Sequence, residues 1–422
     1  VGGGVVKLLL RNAAKYERTV GAPVQLAVVA DLRVKLAASL GVPPKLITPD
    51  AAAVVTRPDI DVVVELFGGH EPARALIMKA LAAGKDVVTA NKALLAEHGA
   101  EIFREAGMRG LTVGFEASVG GGVPIIRTLR EALAGDHQRA AYGIVNGTCN
   151  SILTTMTEDG VEFAAALADA QAKGLAEQNP ALDVEGHDSA HKLCLLVTLA
   201  FGVMVKPAQI YTEGITRITQ ADIAYARELG YAIKLLAIGK DADGAIEARV
   251  HPTMIPQRHL LASVGGAFNA IYIHGDALGE TMYSGLGAGE MPTATAVIAD
   301  ILEIARHRLV EGSARAHAFG FPIHLMKSAR VKPMDDVVCE YYLRFMARDK
   351  PGVLGAIASV LGRHGLSIAS VIQKGRGTAQ TVPVIMRTHD APERSLKRAL
   401  AEIQRKKIVQ SAPAFIRIEE KL

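Results

Sequence analysis

Between residues 24 and 92 the apolar positions fall into short blocks separated by polar breaks. "VQLAVVAD" (24–31) is a β-branched run closed by an acid, "DVVVELFGG" (61–69) ends on a glycine pair, and "KDVVTANK" (85–92) ends on polar residues. Between the last two blocks, "EPARALIMKALAAG" (71–84) spaces its apolar residues as a helix does and stops on a glycine. Apolar runs without in-and-out alternation, joined by helices, predict a parallel sheet buried on both faces of an α/β domain. In such a sheet chemistry gathers at the carboxyl ends of the strands. Here those ends are Asp31, Gly68-Gly69 and the run from Thr89 to Lys92.

The chain opens "VGGGVVKLLL", which fits the second half of a glycine-rich phosphate loop running into its helix. Gly2 takes the place of the last glycine of G-x-G-x-x-G, with Val1 before it. The first two glycines and the leading strand are then expected upstream of residue 1, so the N-terminus reads as cut. A glycine-rich helix start also has plainer explanations. Asp31 stands where an acid would meet a ribose hydroxyl and Arg33 where a cation would meet a 2′-phosphate; Asp31 is equally readable as a strand-end turn residue.

Further along, "FEASVGGGVPII" (115–126) sets three glycines between apolar segments, predicting a sharp turn or a close backbone approach. "YGIVNGTCNSILTTM" (142–156) reads as strand, turn and helix. "SGLGAGEMPTATAVIADILEIARHRL" (284–309) reads as a glycine-rich loop feeding a helix with proline near its first turn. After the linker "KSARVKPMDD" (327–336) the pattern strand-helix-strand occurs twice, predicting a small α/β sandwich on one antiparallel sheet. The expected domains are 1–114 for nucleotide binding, 115–326 for catalysis and dimerisation, with about 285–320 returning to the first domain, and 338–422 for the C-terminal module.

Half the residues are hydrophobic and 21% are charged, which makes a globular chain and not a disordered one. Net charge is +4, with scattered cations and no tryptophan, so nucleic-acid binding has little support. The longest apolar run, residues 193–205, is too short to span a bilayer and predicts a buried helix. No basic stretch leads into an apolar signal core, and the three cysteines form no CxxC pair; both point to a cytoplasmic protein with reduced thiols.

Directly before that apolar run stands "NPALDVEGHDSAHKL" (179–193), crowded with Asp183, Glu185, His187, Asp188, His191 and Lys192. A metal site, an acid/base cluster and a merely polar helix entrance are the alternatives. Asp188 and Lys192 are four apart, on one helical face, and an acid in the first turn is favoured by the helix dipole. A surface i,i+4 pair would have the same spacing. His187 and His191 form HxxxH, but HExxH is absent and no third ligand stands out, so zinc is rejected.

The motifs "VELFGGHEPA", "VVTANKALLAEHG", "FEASVGGGVPII", "GIVNGTCNSILT", "NPALDVEGHDSAHKL" and "GLGAGEMPTATAVIADI" together resemble homoserine dehydrogenase, in order, over nearly all of residues 1–325. The last 85 or so residues look like an ACT domain. The resemblance implies a Rossmann-type parallel-sheet nucleotide domain, an α+β catalytic and dimerisation domain, and a ferredoxin-like ACT domain. The implied activity is the reversible NAD- or NADP-dependent reduction of aspartate 4-semialdehyde to homoserine.

It further implies that Lys192 gives and takes the proton, with Asp188 beside it and Lys92 near nicotinamide and substrate. A lysine in a partly closed pocket suits proton transfer, since desolvation disfavours the ammonium. Glu177 and Asp188 would bind the substrate, whose carboxylate would meet the backbone N–H groups of Gly147 and Thr148. Val1, Gly2, Gly68, Lys92, Gly174 and Gly289 would approach the cofactor. Glu116 with the carbonyls of Val119, Gly121 and Val123 would hold a monovalent cation, sodium, although the glycines alone explain a tight turn there. An amino-acid effector, threonine, is expected near "DKPGVLGAI" (349–357), against a module that only promotes assembly. A homodimer or homotetramer is expected. The cut phosphate loop keeps a second reading in play, a non-catalytic amino-acid-binding or assembly subunit.

Overall fold

The valine blocks at 62 and 86 become neighbouring strands because neither has a polar face to turn to water. In the computed structural model, which describes residues 1–242, 244–310, 317–374 and 381–422, Val62–Glu65, Asp86–Thr89 and Val113–Gly114 lie side by side as a parallel sheet. Helices Ala73–Ala82 and Lys92–Met108 make the crossovers and bury Ile77, Leu81, Leu94 and Ile102 completely. A second pair of helices, Gly2–Val20 and Glu290–Leu309, packs an apolar stripe of Val5, Leu8, Leu9, Val297 and Ile301 with Val88, Val62 and Val64. The chain therefore returns late to its first sheet. Each fully buried leucine or isoleucine contributes about 1.5–3 kcal/mol, so this sandwich has a core of its own.

The block at 24–31 is shorter as a strand than its composition predicts. Only Val29–Ala30 forms a ladder, parallel to Ile47–Thr48. Val24 and Leu26 still reach the core between the two helices, so the pattern reports burial there and not pairing.

The chain divides into two compact units. The first comprises Val1–Gly147, Asp188–Ile210 and Ala267–Ala329. It holds the parallel sheet, and an antiparallel one in which Phe268–Gly275 pairs with both Gly279–Leu286 and Gln138–Ile144. Most of the apolar run after Lys192 is a buried helix, His187–Phe201, as its length predicts, but Val203–Met204 near its end form a short strand paired with Lys327–Ser328. No helix of the described residues is long and apolar enough to cross a membrane.

The second unit comprises Thr148–His187, Tyr211–Gly266 and Arg330–Leu422. Its C-terminal part has the two expected strand-helix-strand halves. Strands run in the order Ala414–Ile418, Val338–Arg348, Thr381–Thr388, Ile368–Gln373, all antiparallel to their neighbours. Helices Val353–Arg363 and Glu393–Arg405 bury Ile357, Leu361, Leu396 and Ile403 on that sheet. The expected linker is not a loose tether. Ile246 N–H donates to the Arg330 carbonyl, Lys332 N–H donates back to Ile246, and Ala414–Ile418 pairs in parallel with Ile246–Pro256. Parts of two expected domains, residues 311–316 and 375–380, lie outside the described residues.

Candidate active site

The helix His187–Phe201 starts immediately after Gly186, whose φ of +89° turns the chain out of the short helix Ala181–Val184. That turn puts Asp188 in the first helical turn and Lys192 one turn on, both buried. The Lys192 ammonium donates to Asp188 Oδ2 at 2.6 Å and to the Val145 carbonyl at 2.6 Å. Asn146 Nδ2 donates to the same Oδ2 at 2.9 Å, and Lys92 Nζ lies 3.1 Å from Oδ1. Burial alone would push the Asp188 carboxyl up. The ammonium groups of Lys192 and Lys92, then the hydrogen bonds from Lys192 and Asn146, more than offset it and hold the group well below the usual carboxylate range. Lys92, Asp188 and Lys192, 96 residues apart in their first two members, thus share one site.

Lys92 reaches it from the carboxyl end of Asp86–Thr89. Asn91 caps the following helix by accepting from Leu94 N–H, and its Nδ2 donates to the Gly69 carbonyl at 2.7 Å. Glu65, buried at the end of the neighbouring strand, accepts from Thr89 Oγ1 and from Phe67 N–H, both at 2.6 Å. Burial raises its pKa against those two hydrogen bonds. These contacts tie the two strand ends on which Gly68 and Lys92 stand. Asn91 lies in the strand end expected to carry chemistry, whereas Glu65 and Asn146 were not among the expected site residues; an acid closing an all-valine strand was the available signal for Glu65.

The phosphate-loop residues fit an anion. The Gly2–Val20 helix has no acid in its first turn and no side-chain cap on Val1, and its first N–H groups have no acceptor within the helix. At Gly4 a Cβ would sit 2.9 Å from the Glu290 carbonyl, so the start of this helix lies against Glu290–Leu309, the helix that Gly289 precedes. Asp31 and Arg33, the two candidates for the ribose end, pair with each other at 3.3 Å.

Glu116 is buried, and its two oxygens accept the backbone N–H groups of Ile126 and Arg127, each at 2.9 Å. Burial raises its pKa, against those hydrogen bonds. Its own N–H donates to Asp300 Oδ2 at 2.9 Å, and burial, then the Glu116 charge, pushes Asp300 up to about 7. Val119 and Val123 are buried around Gly121, whose φ is +56°. Carboxylate and carbonyl oxygens are the donor types that a hard monovalent cation takes, and Glu116 brings two carboxylate oxygens to this turn. Among the described residues no three His, Cys, Asp or Glu side chains cluster as a metal site; His187 and Glu185 form an exposed pair at 3.5 Å.

Glu177, Gly174 and Thr148 belong to the second unit. Glu177 is exposed, Gly174 forms a turn with φ +69°, and Thr148 Oγ1 donates to the Leu175 carbonyl at 2.7 Å. The same unit holds a cavity of about 520 Å³ on the C-terminal module, lined by Arg348, Asp349, Lys350, Gly352, Val353 and Gln373. None of its lining residues belongs to the Lys192 cluster.

Family models match three successive parts of the chain. Residues 1–116 match the family model "Homoserine dehydrogenase, NAD binding domain", 124–302 match "Homoserine dehydrogenase", and 341–407 match "ACT domain". A homoserine dehydrogenase of Neisseria gonorrhoeae is 43% identical over 99% of this chain and 96% of its own length. One of Pseudomonas aeruginosa is 42% identical over 100% and 96%. The crystal structure of a homoserine dehydrogenase from Thiobacillus denitrificans superposes with a TM-score of 0.94 at 43% identity, covering 100% of this chain and 96% of that one.

Proposed function

The chain belongs to the homoserine dehydrogenase family, and we propose that within its reaction Lys192 is the group that gives and takes the proton. It is an NAD(P)-dependent oxidoreductase acting on a CH–OH group, interconverting aspartate 4-semialdehyde and homoserine. The reading as a non-catalytic subunit is not favoured, since the relatives matched over nearly the whole chain are enzymes.

The observation that carries the Lys192 role is its hydrogen-bond count. An ammonium has three N–H groups. Val145 and Asp188 take two, which leaves one for a substrate oxygen. When bound, the nicotinamide supplies or accepts the hydride. As the aldehyde carbon gains hydride its oxygen becomes an alkoxide, and Lys192 protonates it; in the opposite direction Lys192 in its amine form takes the hydroxyl proton. Asp188 holds the ammonium in place and, with Glu177, meets the substrate ammonium. Lys92 adds positive charge beside the reacting oxygen. The N–H groups of Gly147 and Thr148 receive the substrate carboxylate.

For the cofactor, NADP or NAD, we propose Val1 and Gly2 at the pyrophosphate, with Gly68, Lys92, Gly174 and Gly289 lining its path. Glu116 and the carbonyls of Val119, Gly121 and Val123 hold a sodium ion. At the C-terminal module an amino-acid effector, threonine, sits in the cavity beside Gly352. Its carboxylate faces the start of helix Val353–Arg363, and its ammonium faces Asp349. The working form is a homodimer or homotetramer, and its cytoplasmic location accords with three buried cysteines that form no disulfide.

The test is Lys192→Ala assayed for homoserine oxidation with each cofactor. Turnover should collapse while cofactor affinity holds; turnover within about tenfold of wild type removes Lys192 from the role.

A further inference from the structure

We infer that Asn146 is a positioning residue for the proton-transfer pair, fixing the Asp188 carboxylate so that one oxygen serves Lys192 and the other serves Lys92. This rests on the reading of Lys192 as proton carrier and adds a residue to it.

Three observations carry the inference. The first is the division of labour on Asp188. Oδ2 takes Lys192 at 2.6 Å and Asn146 Nδ2 at 2.9 Å, while Oδ1 takes Lys92 at 3.1 Å. The last torsion of an aspartate is soft, so two ammonium groups alone leave the plane of the carboxylate free to rock between them. A neutral amide donor on one oxygen restrains that plane without adding charge.

The second is that neighbouring residues register both members of the pair. The Val145 carbonyl accepts from Lys192 at 2.6 Å, and the next side chain in sequence holds Asp188. Lysine and aspartate are therefore set from the same two-residue segment, and a shift of that segment moves them together. The segment is itself pinned. Before it, Ile144 pairs with Ala270 in the antiparallel sheet; after it, a Cβ on Gly147 would lie 2.8 Å from the Ala267 carbonyl. Only a glycine allows that approach.

The third is burial. Asn146 is 5% exposed and Asp188 4%, so amide and carboxylate meet away from bulk water. An aspartate at 146 would set a second anion against Asp188, and an alanine would leave Oδ2 one donor short. Asparagine is the side chain of this size that supplies a donor and no charge.

The experiment uses the full chain in homoserine oxidation with NADP, with variants Asn146→Ala, Asn146→Ser, Asp188→Asn and the Asn146→Ala/Asp188→Asn double. Either Asn146 variant should lower kcat by about tenfold or more and leave homoserine KM within about threefold. The solvent deuterium isotope effect on kcat should rise above wild type, because proton transfer becomes the slower step. The double variant should be no slower than Asp188→Asn within about twofold, since Asn146 acts through that carboxylate. The serine variant reads the same quantities if the alanine variant does not fold.

Either of two results overturns the inference. One is a kcat within twofold of wild type with an unchanged isotope effect; the other is losses that add in the double variant. The underlying reading fails separately, by Lys192→Ala retaining turnover while the Asn146 variants are slow.

Discussion

Asp188 Oδ2 lies 2.6 Å from the Lys192 ammonium one helical turn later, and Asp188 Oδ1 lies 3.1 Å from Lys92, which arrives from a strand end 96 residues earlier in the chain. One buried carboxylate thus faces two ammonium groups, which leaves a net positive charge at the site proposed for the reacting oxygen. Asp188→Asn keeps the shape and removes the anion. The two ammonium groups then face each other uncompensated. We expect kcat/KM for homoserine to fall by about 10²–10³-fold, the range of a displaced acid/base group. NADPH affinity, read by fluorescence titration, should stay within about threefold. A variant still turning over within tenfold of wild type would show that Asp188 does not hold the proton carrier.

The C-terminal module makes a second prediction, and here the architecture changes what the sequence leads one to expect. A module on its own linker could be cut at about residue 337 with activity kept and effector response lost. In the structure Ala414–Ile418 pairs with both Val338–Arg348 and Ile246–Pro256. Arg249, 1% exposed, is paired with Glu419, and Arg417 reaches Glu393 at 2.6 Å and Glu213 at 2.8 Å. Removing 337–422 takes Glu419 from Arg249 and leaves it the longer, 3.4 Å contact with Glu247; breaking a buried pair costs about 3–5 kcal/mol. The truncated chain should therefore melt well below the full chain and lose turnover with its fold. A truncation that melts like the parent would show that the Ile246–Pro256 strand stands without its neighbour.

The contrast shows what could be read from the chain. Valine-rich blocks ending in polar residues predict a parallel sheet because each strand is buried on both faces, and Lys92 at such an end was legible as a candidate. Spacing placed Asp188 under Lys192. Asn146 was not legible, since an asparagine before a glycine reads first as a turn, and its reach to Asp188 depends on a helix 42 residues on. The return of Glu290–Leu309 to the first sheet was expected from resemblance and not from periodicity. The parallel pairing of Ala414–Ile418 with Ile246–Pro256 had no local signal, because strand partners far apart in sequence leave no mark on either one.

Lys234 gives a prediction about pH. It stands in the strand Tyr231–Asp241, 7% exposed, and its ammonium donates to the Val264 carbonyl at 2.6 Å and to Asn150 Oδ1 at 3.3 Å. Burial disfavours the ammonium and brings the group down to about 8, against a smaller opposing pull from the Glu158 charge. In the unfolded chain a lysine titrates at about 10.4. A depressed folded-state value means that the favourable contribution is fully present above the unfolded pKa and is lost as pH falls through the folded one. The buried ammonium therefore burdens the fold below pH 8, and the burden lifts as it deprotonates ahead of the unfolded chain. Lys234→Met has no such titration. Measured against that variant, wild-type stability should rise by about 1–3 kcal/mol between pH 7.5 and 10, while other groups cancel in the difference. Matched thermal melts across that range check it. A difference that stays flat would mean that Lys234 titrates as it does in water and that its carbonyl and amide contacts, not burial, set its charge.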